Sequence, residues 1–230
     1  QSLHAGDKAA VARQVRQVGF WVIAAQAGVA LALAIPGEAV MGLVGPAFVA
    51  GTAALAFLLA AEVVAAMAAV SEAALIYTAR HRNMLLSLAM LVLQAVLSVA
   101  LILLMREMEL PVMWQATGPA IALMLALGFA AIAKSRLLCV ILGARVNGWR
   151  WPLVSAAAAA TVAGYAFTLL PEWTELLLGI PAILVAFGAV LWTKGFGPED
   201  RELFRMKRHE IEELEDFEIP APGQSPQAPR

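Results

Sequence analysis

Apolar residues fill this chain in six blocks, separated by short breaks of proline, glycine or charge. The longest block, from Ala47 to Thr78, is almost unbroken, with Glu62 near its middle and Glu72 ten residues on. It exceeds the roughly 20 residues that cross a bilayer's hydrocarbon as a helix, so it must tilt or protrude. The other blocks run from about Val18 to Ile35, Met84 to Met105, Met113 to Ala133, Pro152 to Leu170 and Leu176 to Thr193. Pro36-Gly37 stops the first, and Pro152 sits where the missing N–H of a helix start costs nothing. Lys134 to Trp151 is read as a basic linker, and Pro36 to Pro46 as a connector without Lys or Arg. The pattern predicts an all-α polytopic membrane protein: a polar N-terminal segment over 1–17 and a six-helix transmembrane bundle over 18–194. A short amphipathic helix follows over 195–218, then a Pro-rich disordered tail over 219–230.

Charge placement fixes an orientation. With both termini cytoplasmic, 15 of the 16 Lys and Arg fall in inside segments and only Arg106 falls outside. That is the positive-inside asymmetry. Trp21, Trp149, Trp151 and Trp192 lie at the inner ends of spans, and Trp114 and Trp173 at the outer ends, as an aromatic belt requires. Composition agrees: 61% hydrophobic and 14% charged residues with mean hydropathy +0.78. Near-neutral net charge gives no footprint for nucleic acid. The single Cys139 cannot form an internal disulfide. Opening on Gln1 in a polar stretch, the chain reads as a fragment of a longer protein or a processed product, the fragment being preferred.

Chemistry-bearing residues are scarce. His4, His81 and His209 lie outside the spans without ligand spacing, so no metal is expected, and no cofactor fingerprint is present. Serines occur within spans but no histidine does, which disfavours a membrane enzyme. The polar residues at depth are Gln26, Glu62 and Gln94, with Glu72, Gln115 and Thr117 less deep. A carboxylate at a helix centre costs about 2.5–3.5 kcal/mol on insertion scales, so Glu62 should face protein or water. Ala61, Ala65, Ala69 and Ala73 beside it suggest a small-residue packing seam, and Ala156, Ala160 and Gly164 a second. Glu62 can thus be a cavity residue or a protonated, hydrogen-bonded core acid; both readings stand at this point.

The order of several degenerate motifs resembles the C-terminal half of bacterial polysaccharide-biosynthesis membrane proteins, the O-antigen and exopolysaccharide flippases. These belong to one superfamily with the multidrug extrusion transporters. The motifs are SEAALIYTARHRN closing the second span, LAMLVLQAVLSVALI with its mid-membrane amide, GPAIA from Gly118 to Ala122, KSRLLCVILGARVNGW, and GFGPEDRELFR after the last span. Gln94 stands where such proteins often carry Asn, and it joins Gln26 and Glu62 as a candidate substrate-cavity residue. The resemblance implies one lobe of a two-lobe transporter, partnered by a missing N-terminal six-helix lobe, in the bacterial inner membrane. It implies that the first two spans, with Gln26 and Glu62, line a central cavity for a lipid-linked oligosaccharide on a polyprenyl diphosphate. No Lys or Arg is expected at membrane depth, so either the absent lobe supplies the cations that the diphosphate needs, or Arg80, Arg82, Arg145 and Arg150 gather it at the cytoplasmic mouth. A cation-coupled multidrug antiporter and a non-transporting membrane scaffold are the alternatives.

Overall fold

A computed structural model describes residues 8–197 and Asp200, and the described residues are helical without strands. The chain divides into two compact units, Gln1–Gly195 and Phe196–Arg230. In the second, the Asp200 carboxylate accepts a hydrogen bond from the Gly197 N–H at 2.8 Å. The expected amphipathic helix and tail otherwise lie outside the described residues.

The first unit contains α1 (Lys8–Ala34), a short α2 (Gly37–Val44), α3 (Thr52–Thr78, entered through a 3₁₀ turn at Pro46–Gly51) and α4 (Arg80–Glu107). It continues with α5 (Val112–Leu142), α6 (Trp151–Phe167) and α7 (Glu172–Lys194), the last carrying a π-turn at Glu175–Gly179. Five of these, α1, α3 with its lead-in, α4, α5 and α7, are long and apolar enough to cross a membrane. The fifth expected span, α6, is a 17-residue apolar helix. At 1.5 Å per residue it extends about 25 Å, slightly short of a typical hydrocarbon core.

Two boundaries depart from the hydropathy pattern. α1 begins at Lys8, ten residues ahead of the expected span, because Val11, Ala12 and Val15 make a buried stripe while Lys8 and Arg13 stay exposed. This amphipathic extension joins the core that also holds Leu138, Leu142 and Val146. α5 runs on to Leu142 rather than ending at Ala133. The residue that stops it is Gly143, at φ +67°, whose N–H returns to the Cys139 carbonyl at 2.9 Å. That left-handed C-cap is the position where glycine is free of the Cβ penalty. The linker therefore shrinks to residues 143–150, and Lys134 lies well inside a helix.

α3 and α5 form the most extensive helix pair; α4 packs on the far side of α5, and α1 bridges α3 to the α6–α7 pair. Between apolar helices in lipid, burial supplies no driving force, so close van der Waals packing of small residues carries the association. On α6, Ala156, Ala160 and Gly164 are all buried. A Cβ on Gly164 would stand 2.9 Å from both Ile183 Cδ1 and Ile35 Cγ2. The seam expected on α3 is different: Ala61 is buried, but Ala69 and Ala73 are exposed. Every-fourth spacing rotates about 40° per step on a 3.6-residue helix, so the set drifts off its face after two steps. The buried stripe is instead Ala61, Ala66, Met67, Ala68, Ser71, Ala74 and Leu75.

Arg150 and Gly148 fix the 143–150 linker on α1. The Arg150 guanidinium lies 4.3 Å from the ring centroid of the fully buried Phe20, and its Nη1 donates to the Gly195 carbonyl at 3.1 Å. A Cβ on Gly148 would meet Phe20 N at 2.7 Å, Gly19 C at 2.9 Å and Arg16 O at 3.0 Å, all backbone atoms that cannot swing aside. Gly148→Ala should therefore destabilise the bundle by about 1–3 kcal/mol, the usual cost of overpacking. Gly188→Ala, with nothing within 4 Å of its added Cβ, should be neutral or stabilising by about 0.5–1 kcal/mol. Thermal unfolding of the two variants in one detergent compares them directly.

Candidate functional site

Two polar features stand out against the apolar background. The first lies on the outer face where α1 meets α3. Gln26 and Glu62 line a shallow groove of about 350 Å³ with Ala25, Val29, Ala30 and Leu59. Glu62 is exposed, ten residues into the 27-residue α3, which places it near mid-helix. It is not buried in the core that the described residues form. A carboxylate facing hydrocarbon near the middle of a span costs about 2.5–3.5 kcal/mol on insertion scales, which favours water or polar protein over this face. A second groove of about 470 Å³ shares Ala30 and Leu59 and runs between α1, α3 and α6; Ile23, Leu31, Val63, Trp149 and Leu153 make its wall entirely apolar. Gln94, expected in the same cavity, is half-buried on α4 and outside both linings.

The second feature is a charged junction that hydropathy reading missed. Lys134 on α5 is only 3% exposed. Its Nζ donates to Glu72 Oε2 at 2.7 Å and to Ser87 Oγ at 3.0 Å. Asn83 Nδ2 donates to Glu72 Oε1 at 3.3 Å. Three helices thus meet at one ion pair: α3 supplies the acid, α5 the base, and α4 the amide and hydroxyl. Asn83 Oδ1 and the hydroxyl of Ser71 are buried without a hydrogen-bond partner among the described residues. Lys134 follows about 33 Å of apolar helix from Val112, so it sits at the boundary of the hydrocarbon yet turns inward. Lys134, expected in the basic linker, is thus a buried member of the helix bundle.

The signal for the pair was present in the topology. α3 and α5 run in the same direction, so a charge six residues before the end of one and a charge eight residues before the end of the other fall at matching depth. Opposite charges at matching depth on adjacent helices are candidates for pairing.

Of the four arginines expected at the mouth, Arg80, Arg82 and Arg145 are exposed at the end where α3, α5 and α7 finish. Arg150 is half-buried and already held by Phe20 and the Gly195 carbonyl. No group of His, Cys, Asp or Glu among the described residues could hold a metal ion. Comparison with family models, curated proteins and solved structures returns no match.

Removing one member of a buried pair strands the other, at a cost of about 3–5 kcal/mol when both are fully buried. The Glu72 side chain is 39% exposed and partly solvated, so the cost here should be smaller. Lys134→Met should destabilise more than the double variant Glu72→Gln/Lys134→Met, which removes both charges and keeps the volume. A double-mutant cycle on thermal unfolding reads this coupling; additive single effects would show that the pair carries no energy.

Proposed function

We propose that this chain is one lobe of a transporter that moves lipid-linked oligosaccharides across a bacterial inner membrane. The α1/α3 face with Gln26 and Glu62 is turned toward a central polar cavity, which a second six-helix lobe completes. The single observation that carries the reading is the exposed Glu62 carboxylate at mid-helix beside a second polar side chain in a concave surface. A scaffold subunit has no reason to keep an ionisable group there. A transporter does: a sugar head group crossing hydrocarbon must be kept hydrogen-bonded, and a wet, polar wall removes most of that desolvation cost. The adjoining apolar groove gives an amphiphilic cargo a surface of matching character beside the polar one. The motif order from Ser71 to Arg205 supports the same family of transporters.

In this reading α6 is the sixth crossing element; it packs along α7 and α1. Both termini are cytoplasmic, and the basic end with Arg80, Arg82 and Arg145 meets the anionic inner leaflet and the diphosphate of the cargo. Single cysteines at Gly37, Met108 and Trp173 should label from the periplasm, and those at His81 and Asn147 should not. Reversal at any two positions would overturn the six-span topology.

Glu62→Gln keeps shape and hydrogen-bonding capacity while removing charge. In the intact two-lobe protein it should express normally, since an amide is cheaper than a carboxylate at this depth. Delivery of finished glycan to the cell surface should fall several-fold. Unchanged export at normal protein level, across external pH, would remove the charge from the mechanism. A loss confined to cationic drug efflux, with glycan export intact, would favour the antiporter.

A further inference from the structure

The oxygen atoms around the Lys134 ammonium have the composition of a monovalent-cation site. Glu72 supplies a carboxylate at 2.7 Å and Ser87 a hydroxyl at 3.0 Å. Asn83, bound to the same carboxylate through its Nδ2, carries a buried carbonyl oxygen with no donor at all. One formal negative charge with neutral oxygens suits an alkali cation; a divalent or transition metal demands more carboxylate, imidazole or thiolate than the junction offers. Glu72 keeps 39% of its side chain accessible, which leaves a route for a hydrated ion from solvent.

We propose that the α3–α4–α5 junction is an alkali-cation site in which the Lys134 ammonium takes the place of the ion. The lysine is a tethered counter-cation: covalently present at high local concentration, it neutralises Glu72 and satisfies Ser87 without drawing an ion from solution. Withdrawing the ammonium uncovers the carboxylate and the hydroxyl, and a dissolved Na⁺ or K⁺ then occupies the position, with the neighbouring Asn83 oxygen, which the ammonium does not reach, as a further ligand. The inference rests on the junction's own geometry and is independent of the transport reading and of Glu62.

The test uses the full chain in detergent micelles, with thermal unfolding followed in NaCl, KCl or choline chloride at equal ionic strength. Wild type should unfold at the same temperature in all three salts, because its cation is built in. Lys134→Met keeps the aliphatic stem and removes the charge. It should unfold at least about 2–4 °C higher in NaCl or KCl than in choline chloride, the scale of roughly 1 kcal/mol of binding for a chain of this size. Adding Glu72→Gln to that variant should restore salt indifference. Asn83→Ala in the Lys134→Met background should lower the cation response, since it removes the unpaired oxygen.

A folded Lys134→Met protein with no difference between alkali and choline salts overturns the proposal. So does an alkali response of equal size in wild type, which would place the cation elsewhere. If Lys134→Met fails to fold in every salt while Glu72→Gln/Lys134→Met folds, the stranded carboxylate accepts no ion, and the proposal also fails.

Discussion

An ammonium at the edge of the hydrocarbon must have a partner or leave, and Lys134 has not left. That constraint fixes the relation of three helices. The Lys134–Glu72 contact holds α5 to α3, and the Ser87 and Asn83 contacts set α4 against the same point. Apolar helix pairs in lipid slide and rotate at modest cost because lipid tails and side chains offer equivalent contacts. A paired charge does not permit this: a shift of one residue moves it about 1.5 Å along the axis and about 100° around it. The pair therefore specifies register where the surrounding leucines, valines and alanines cannot.

The other half of the bundle is specified by shape. α6, α7 and α1 come together where Gly164 admits Ile183 and Ile35, and the 143–150 linker lies on the α1 backbone because Gly148 has no side chain. Arg150 then caps this arrangement, stacking on Phe20 and reaching the carbonyl of Gly195 at the end of α7. One side of the bundle is thus held by electrostatics and the other by close backbone approach, with α1 joining the two through its packing on α3. Gly148 and Arg150 belong to the scaffold that presents the basic end, which leaves the exposed Arg80, Arg82 and Arg145 as the free cations among the four arginines singled out by sequence.

The apolar blocks were legible because hydropathy over 20 residues is a strong signal, and the ends of α3 and α4 at Thr78 and Arg80 fell where the basic turn begins. Two kinds of information were not legible. Hydropathy treats the first charge after a span as the membrane exit, so Lys134 was placed in a linker although the helix stops only at Gly143. It also treats a polar opening as non-helical, so the amphipathic turns from Lys8 to Gln17 were left out of α1. Glu62 and Gln26 were singled out by depth, with a shared cavity implied only by the family resemblance, and they line one groove. Gln94 was grouped with them by depth too, but depth carries no azimuth, and α4 packs chiefly on α5.

The two carboxylates of α3 sit in opposite surroundings on one helix. They are ten residues apart, which is about 15 Å along the axis and about 80° around it. Glu72 turns to the α4–α5 side and finds an ammonium, an amide and hence a structural role. Glu62 turns to the α1 side, where the described lobe places an amide-bearing groove rather than a cation. If both acids served packing, both would be expected to carry partners, since the cost of an unpaired carboxylate rises toward the bilayer centre where Glu62 sits. The more expensive position is the one left open to the outside of the lobe. That inversion is what a surface completed by water, cargo or a second lobe would produce, and a surface completed by lipid would not.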